Sequence, residues 1–436
     1  MKEPILYSPR YETISREELN QLQIERLQST LNRVYRNVAF YKAAFDEHRV
    51  NLEKIRSLES LAQLPFTTNE DLHKSYPYGM FAVPLRDIVR IHSTSAAAGK
   101  PIVVGYTRND LRTWTECAAR LLSAAGVTEH DVVQIALDYS LYSGGFGFHQ
   151  GAEQIGASVI PASLTASIEK QITIMRDFKT TALVSTPSHA INIAAGIEEL
   201  KIPAGQLKLR MGLFSGERWS DAVRKEIEAR LHISATDTYG PSEVMGPGIA
   251  GECHERKGLH INEDHFIVEV IDPKTLKALP AGEEGELVLT TITKEGFPLI
   301  RYRTGDITAI EAAPCPCGRT LARMARVMRR ADNLVLFHGV GFFPSQIEQA
   351  LMEASGTAPH YQIILDRANG VDTLEVRVEI NDQIPSMDEL KALGALRTSI
   401  VKGIKTALDI DAKVSFVEPR SINQADGDRV VDRRQG

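Results

Sequence analysis

The period of the apolar pattern changes twice along these 436 residues, and that change constrains the fold more than any single motif. From about residue 87 to 235, short apolar strand candidates alternate with helical stretches: Val132–Leu137 before Gly151–Ile155, Ser158–Ile160 before Ile168–Phe178, and Ala182–Ser185 before His189–Leu200. Such alternation predicts βαβ units and a parallel sheet. Between about 261 and 310 the period drops to two, in Phe266–Ile271, Gly285–Ile292 and Thr308–Glu311, with turns at Asp272-Pro273 and Pro280-Ala281-Gly282. This part predicts antiparallel or barrel-like structure. After Asp332 come a short strand, a helix near Ser345–Ala354, strands at Tyr361–Leu365 and Leu374–Ile380, a helix across Met387–Leu408 and a strand at Lys413–Val417. That order reads as a two-layer α+β domain of ~100 residues. Upstream, Leu19, Leu22, Leu27, Leu31, Val34 and Val38 share one side of a helix that Ser15 and Glu18 open as a capping box. The expected fold class is α/β: a large domain over residues 1–331 with a barrel-like antiparallel part, then a small α+β domain over 332–436.

Charge and cysteine content exclude several classes of function. Fifty basic against 56 acidic side chains leave a net charge of −6, which gives no general attraction to nucleic acid or anionic membranes. No apolar run approaches the ~18–20 residues of a spanning helix, and Met1-Lys2-Glu3-Pro4 lacks the apolar stretch of a signal peptide. The expectation is a cytoplasmic protein without nucleic-acid or membrane partners. Four cysteines cannot staple a chain of this length. Three of them, Cys253, Cys315 and Cys317, lie with His260 in two short segments, which predicts one structural Zn²⁺ in a closed tetrahedral site. His254 competes as fourth ligand, and buried free thiols around a turn are the alternative.

Three segments carry candidate nucleotide chemistry. Ser93-Thr94-Ser95-Ala96-Ala97-Ala98-Gly99-Lys100-Pro101 has the outline of a phosphate-binding loop, with Ser95, Gly99 and Lys100 to meet phosphate oxygens, although for this segment taken alone the three alanines favour a flexible surface loop. Asp237-Thr238-Tyr239-Gly240-Pro241-Ser242-Glu243 supplies a ring, a turn, a hydroxyl and a carboxylate within a few residues, a set that can stack on a base, approach phosphate and hold Mg²⁺. Arg301-Tyr302-Arg303-Thr304-Gly305-Asp306 offers a carboxylate for ribose hydroxyls, or else an ion-paired strand end.

Together with Leu64-Pro65-Phe66-Thr67-Thr68, Val103-Val104-Gly105-Tyr106-Thr107, Ser143-Gly144-Gly145-Phe146-Gly147-Phe148-His149, Gly258-Leu259-His260-Ile261, Cys315-Pro316-Cys317-Gly318-Arg319 and Phe343-Pro344-Ser345-Gln346-Ile347-Glu348, these segments give the chain a resemblance to the phenylacetate–CoA ligase family of the acyl-adenylate-forming superfamily. The resemblance implies an AMP-forming reaction: a carboxylate attacks the α-phosphate of ATP·Mg, and CoA then displaces AMP from the acyl-adenylate. By it, Tyr239 stacks on adenine, Glu243 coordinates Mg²⁺, Asp306 holds the ribose, and Ser215-Gly216-Glu217 approaches the base, with Gly240, Ser242 and Arg326 completing the nucleotide site. It implies that Asp332-Asn333 is a hinge about which a mobile C-terminal domain turns between the half-reactions. It also implies an aryl-acid pocket near Tyr139, Phe146 and His149, where glycines leave room for a planar ring, with Phe146 and Phe148 equally readable as core. The partners would be a small carboxylic acid and an adenine nucleotide, and a homodimer is compatible with the resemblance.

Two departures from the family pattern touch the chemistry. Where the family has Ser-Ser-Gly-Thr-Thr-Gly-Lys-Pro, this chain has Thr94-Ser95-Ala96-Ala97-Ala98-Gly99-Lys100-Pro101, so donors to the β- and γ-phosphates are lost. In the tail, Arg429-Val430 and Asp432 align Asp426 with the family's catalytic lysine. A carboxylate there inverts the charge beside an anionic reaction centre. His338, in place of a usual arginine, is a milder third departure, and Lys402, Lys405 and Arg429 are the substitute cations to consider. The expectation is impaired adenylation, with two readings left open: a slow ligase, or a homologue that binds a ligand, assists a partner or performs only the thioester half-reaction.

Overall fold

Ser15 accepts a hydrogen bond from the Glu18 amide while the Glu18 carboxylate takes the Ser15 amide, and the helix Arg16–Asn37 starts there as its pattern predicts. Its apolar side, Leu27, Leu31 and Val34, packs with Tyr41 and Phe45 into a core that also takes in Phe266, Leu289 and Tyr302. The structure is a computed structural model that describes residues 5–94, 101–141, 144–203, 206–331, 335–337, 340–342, 344–355, 360–368, 371–380, 390–408, 410–419, 421–422 and 429–433. By its contacts the chain forms two compact units, residues 1–218 with 227–327, and residues 219–226 with 328–436.

In the first unit the βαβ alternation produces the parallel half of a nine-stranded sheet. Strands Ser158–Ile160, Val132–Ala136, Ala182–Ser185, Met211–Phe214 and Ser234–Tyr239 lie side by side in parallel. Beyond Tyr239 the sheet turns antiparallel through Ala250–Glu252, Leu259–Ile261, Arg323–Met324 and Ile310–Glu311. Tyr239 therefore sits where the parallel sheet changes sense. The period-two region forms separate antiparallel pairings of Phe266–Ile271 with Gly285–Thr291 and of Gly285–Thr291 with Tyr302–Thr308. The expected strand Thr308–Glu311 is instead the end of Tyr302–Thr308 followed by Ile310–Glu311. The motif around Arg301 masks that strand's alternation in the sequence.

Gly151–Ile155 is only the last part of a helix running Gly144–Ile155. Its glycine-rich start reads as loop from propensity alone, but close packing on helix Arg108–Ala125 overrides that preference. A Cβ on Gly147 would lie 2.5 Å from the Trp114 ring nitrogen. In the second unit, strands Lys413–Val417, Val371–Glu379, Tyr361–Ala368 and Val430–Asp432 form one sheet, in that order. Helices Pro344–Ser355 and Leu390–Leu408 supply Ile347, Leu351, Ile400 and Ile404 to the core against it. This is the expected two-layer α+β arrangement. Among the described residues no helix is long and apolar enough to cross a membrane.

Candidate functional site

Tyr239 ends a central strand, and its hydroxyl donates to Asp306 Oδ2 at 2.7 Å. Burial first, and the Asp306 carboxylate second, push the Tyr239 phenol well above its ordinary value, so it remains a donor. Glu243 lies within a turn in which the amides of Val244, Met245 and Gly246 all point at the Pro241 carbonyl, 3.0–3.2 Å away. The turn is so tight that a Cβ on Gly240 would stand 1.8 Å from the Gly246 carbonyl oxygen, so only glycine fits. Tyr302, buried at the start of its strand, donates to Glu243 Oε1 at 2.9 Å. The two motifs, about sixty residues apart in sequence, thus interlock through two phenol–carboxylate bonds, Tyr239 to Asp306 and Tyr302 to Glu243. A ring and two oriented carboxylates within one such group can stack on a base, bind hydroxyls and hold a hard cation.

The other expected residues fall around this group or elsewhere. Arg326 Nε donates to Asp237 Oδ2 at 2.8 Å, two residues before Tyr239. Ser215 and Gly216 follow the neighbouring strand, with Gly216 at φ +83°. Glu217 accepts from the Ser188 amide at 3.0 Å and its hydroxyl at 2.6 Å, at the start of helix Pro187–Glu199. Ser242 lies half-buried in the turn. Tyr139 and His149 join at 3.1 Å, His149 Nε2 reaches Glu153 at 3.1 Å, and Phe146 stands edge-on to Tyr139 with ring centres 5.3 Å apart. Phe148 is core, whereas Phe146 is half-buried. At Gly147, one of the glycines of this segment, the position of a Cβ is taken by the Trp114 ring. Close helix packing, not ligand volume, explains that glycine.

Cys253, His260, Cys315 and Cys317 converge, with one ligand atom of each within 4.8 Å of all the others. Cys253 Sγ and Cys315 Sγ are 3.8 Å apart, and Cys317 Sγ is 3.3 Å from His260 Nε2. All four are buried and the cysteines are unbridged. His260 Nδ1 faces the Leu321 carbonyl at 3.3 Å, a contact that puts the proton on Nδ1 and turns Nε2 toward the sulfurs. The Cys253 thiol first, and the His260 ring after it, pull Cys317 down toward thiolate. Arg319 donates to Cys317 Sγ at 3.7 Å and to buried Glu12 at 3.3 Å. His254, the competing ligand, is exposed and pairs with Glu255 at 3.3 Å, which removes it. Three of the four cysteines lying with a histidine in two short segments foretold this cluster, whereas nothing in the sequence tied Arg319 or Glu12 to it.

Ser95, Gly99, Lys100, Asp332, Asn333, His338 and Asp426 lie outside the described residues. Of the substitute cations, Arg429 pairs with Glu348 and stands over the Tyr361 ring at 5.3 Å, while Lys405 pairs with Asp411 at 3.0 Å.

Residues 151–293 match the family model for AMP-binding enzymes, and residues 339–434 match that for the AMP-binding enzyme C-terminal domain. The chain is 43% identical to the phenylacetate-coenzyme A ligase of Aromatoleum evansii over 97% of its own length and 96% of the relative's. It is 42% identical to that of Escherichia coli strain K12, over 97% of both chains. Among solved structures it resembles a 2-hydroxyisobutyryl-CoA ligase in its postadenylation state in complex with 2-HIB-AMP. The TM-score is 0.89 at 28% identity, covering 100% of this chain and 94% of that one.

Proposed function

The chain belongs to the phenylacetate–coenzyme A ligase family of the acyl-adenylate-forming superfamily, and from that premise we propose that it joins an aryl or related carboxylic acid to CoA through an acyl-adenylate. The observation that carries this is the Tyr239–Asp306 and Tyr302–Glu243 interlock, which gathers a stacking ring, a ribose carboxylate and a cation carboxylate into one group. In the first half-reaction a substrate carboxylate oxygen bonds to the α-phosphorus of ATP and pyrophosphate leaves. In the second, the CoA sulfur bonds to the acyl carbon and AMP leaves. Tyr239 would carry the adenine, Asp306 would accept from the ribose, and Asp332-Asn333 would serve as the hinge between the two steps. Glu243, oriented by Tyr302, offers the hard oxygen that suits Mg²⁺. Bound there, Mg²⁺ supplies charge neutralisation for the phosphates.

The substitutions at Ala96, Ala97, Ala98 and Asp426 favour a second reading in which adenylation is slow or lost. The chain would then perform mainly the thioester half-reaction, or act as a ligand-binding or partner-assisting homologue. Pyrophosphate release on mixing with ATP, Mg²⁺ and a panel of aryl acids separates the two. Steady release with one acid supports the full ligase. No release, but thioester formation from supplied acyl-adenylate and CoA, supports the reduced one.

We also propose that Cys253, His260, Cys315 and Cys317 hold one structural Zn²⁺. Two sulfurs about 2.3 Å from one tetrahedral ion stand about 3.8 Å apart, and the Cys253–Cys315 separation is 3.8 Å. A cytoplasmic setting, where thiols stay reduced, suits such a site. Metal analysis of protein purified without chelator should find about one zinc per chain, and less than about half an equivalent refutes it.

A further inference from the structure

Lys294 is the one charged side chain among the largest fully buried side chains of the described residues. It lies between the strands Gly285–Thr291 and Tyr302–Thr308, in a loop whose Glu295 and Gly296 amides donate to buried Asp110 at 2.6 and 2.9 Å. Its ammonium donates to the Val244 carbonyl and stands 4.3 Å from the centre of the Tyr106 ring. Three more buried side chains act on the same stretch of backbone. Tyr106 donates to the Met245 carbonyl at 3.0 Å, Trp114 to Pro247 at 2.6 Å and Asn262 to Gly248 at 2.7 Å. Tyr106 and Trp114 are stacked on each other with ring centres 5.1 Å apart. The carbonyls of residues 244, 245, 247 and 248 therefore each accept a hydrogen bond from a side chain rooted in a different part of the first unit.

A buried ammonium is costly unless something specific compensates it. Burial pushes Lys294 down to about 7, and the Asp110 and Glu243 carboxylates pull the other way. An apolar residue of similar length, such as methionine, would fill the same space without that cost. What methionine cannot do is hold the carbonyl immediately after Glu243, inside the turn that Pro241 opens.

We propose that Lys294 is a positioning residue for Glu243: by anchoring the Val244 carbonyl it fixes the backbone from which the cation-binding carboxylate projects, with Tyr106, Trp114 and Asn262 securing the segment beyond. This rests on the reading of Glu243 as the Mg²⁺ ligand. The adenosine residues, Tyr239 and Asp306, lie before the anchored stretch or on another strand. Loss of the anchor therefore affects the cation more than the base.

The test uses calorimetry on the full chain and its Lys294→Met variant, with AMP in EDTA, ATP in EDTA and ATP with Mg²⁺. Wild type should bind AMP without metal and bind ATP more tightly once Mg²⁺ is present. In Lys294→Met, AMP affinity should stay within about twofold, while the Mg²⁺-dependent gain for ATP shrinks by roughly tenfold or more, the usual effect of losing support behind a metal ligand. Equal losses for AMP and ATP·Mg overturn the proposal in favour of a purely structural lysine. A larger Mg²⁺ gain overturns it too, because it means that the lysine merely repelled the ion. Tyr106→Phe keeps the ring but removes the donor to Met245. It should show a smaller loss of the same kind, and an unchanged Mg²⁺ gain in it overturns the anchoring of this segment even where Lys294→Met does not fold. Wild type that binds no AMP overturns the adenosine-site reading itself, and Lys294 falls with it. Wild type with a normal Mg²⁺ gain that both variants retain overturns Lys294 alone.

Discussion

Segment 239–248 and the Cys253, His260, Cys315 and Cys317 cluster are both assembled from distant parts of one unit, yet they treat buried polar atoms in opposite ways. Along the segment, carbonyl after carbonyl is matched by a side-chain donor, and the carboxylates are oriented by phenols. In the cluster, three sulfurs and an imidazole nitrogen turn toward each other around one point. The first arrangement satisfies its polar atoms within the protein. The second turns four ligand-type atoms toward one another, the arrangement the proposed Zn²⁺ would complete. On the proposed reading, a nucleotide site and a metal site differ in where their donors and acceptors point.

The sharpest way to break that comparison is to remove the ion. Cys317→Ala leaves two sulfurs and a ring without their centre, and should lower the unfolding free energy of the first unit by more than about 4 kcal/mol or prevent soluble expression. Urea melts with and without a strong chelator check it. Identical midpoints mean that the cluster is held as thiols. Next in size is the phosphate side, where the sequence departs from the family. A preorganised cation at developing phosphoryl charge is worth about 3–4 kcal/mol. Asp426→Lys combined with Ala96→Gly, Ala97→Thr and Ala98→Thr should therefore raise pyrophosphate release by at least ~10²-fold, more than either change separately. A wild type that already turns over at a few per second removes the basis for this expectation.

A smaller effect is expected at Asp306. AMP should bind better than ATP because the adenosine residues are retained, and Asp306→Ala should weaken AMP by about 2 kcal/mol, the order of a charged hydrogen bond. Unchanged AMP affinity in that variant, measured by calorimetry, rejects the ribose role. The smallest effect concerns His265, which burial holds well below the ordinary histidine value. The folded state refuses a proton that the unfolded chain accepts, so stability is full above about pH 6.5 and falls as pH drops below it. The loss is about 1 kcal/mol at pH 5.5. His265→Asn should flatten that part of the stability profile relative to wild type, and parallel profiles argue against it.

Much of the frame was legible because it is local. Capping at Ser15 and Glu18, and the strand bounds Ser158–Ile160, Ala182–Ser185, Phe266–Ile271 and Lys413–Val417, follow from hydrogen bonding and periodicity within a few residues. Helix Gly144–Ile155 was half-hidden because glycine's propensity opposes it, and only the Trp114 ring packed against Gly147 explains the choice. The Cys₃His set was readable from composition, since three of four cysteines beside a histidine leave few other partners.

By itself the sequence determined the succession of βαβ, antiparallel and α+β regions and the presence of Ala96–Ala98 and Asp426, and it suggested Tyr239, Glu243 and Asp306 as one nucleotide-type set. These are properties of neighbouring residues or of fixed spacing. Tertiary structure alone decided that Tyr302 orients Glu243, that His254 is excluded from the cysteine cluster while Arg319 and Glu12 support it, and that Lys294 reaches Val244. The Tyr302–Glu243, Arg319–Glu12 and Lys294–Val244 contacts join groups far apart in sequence. Such contacts are set by how sheets and helices pack, and burial then forces every polar atom to find whichever partner that packing has brought near.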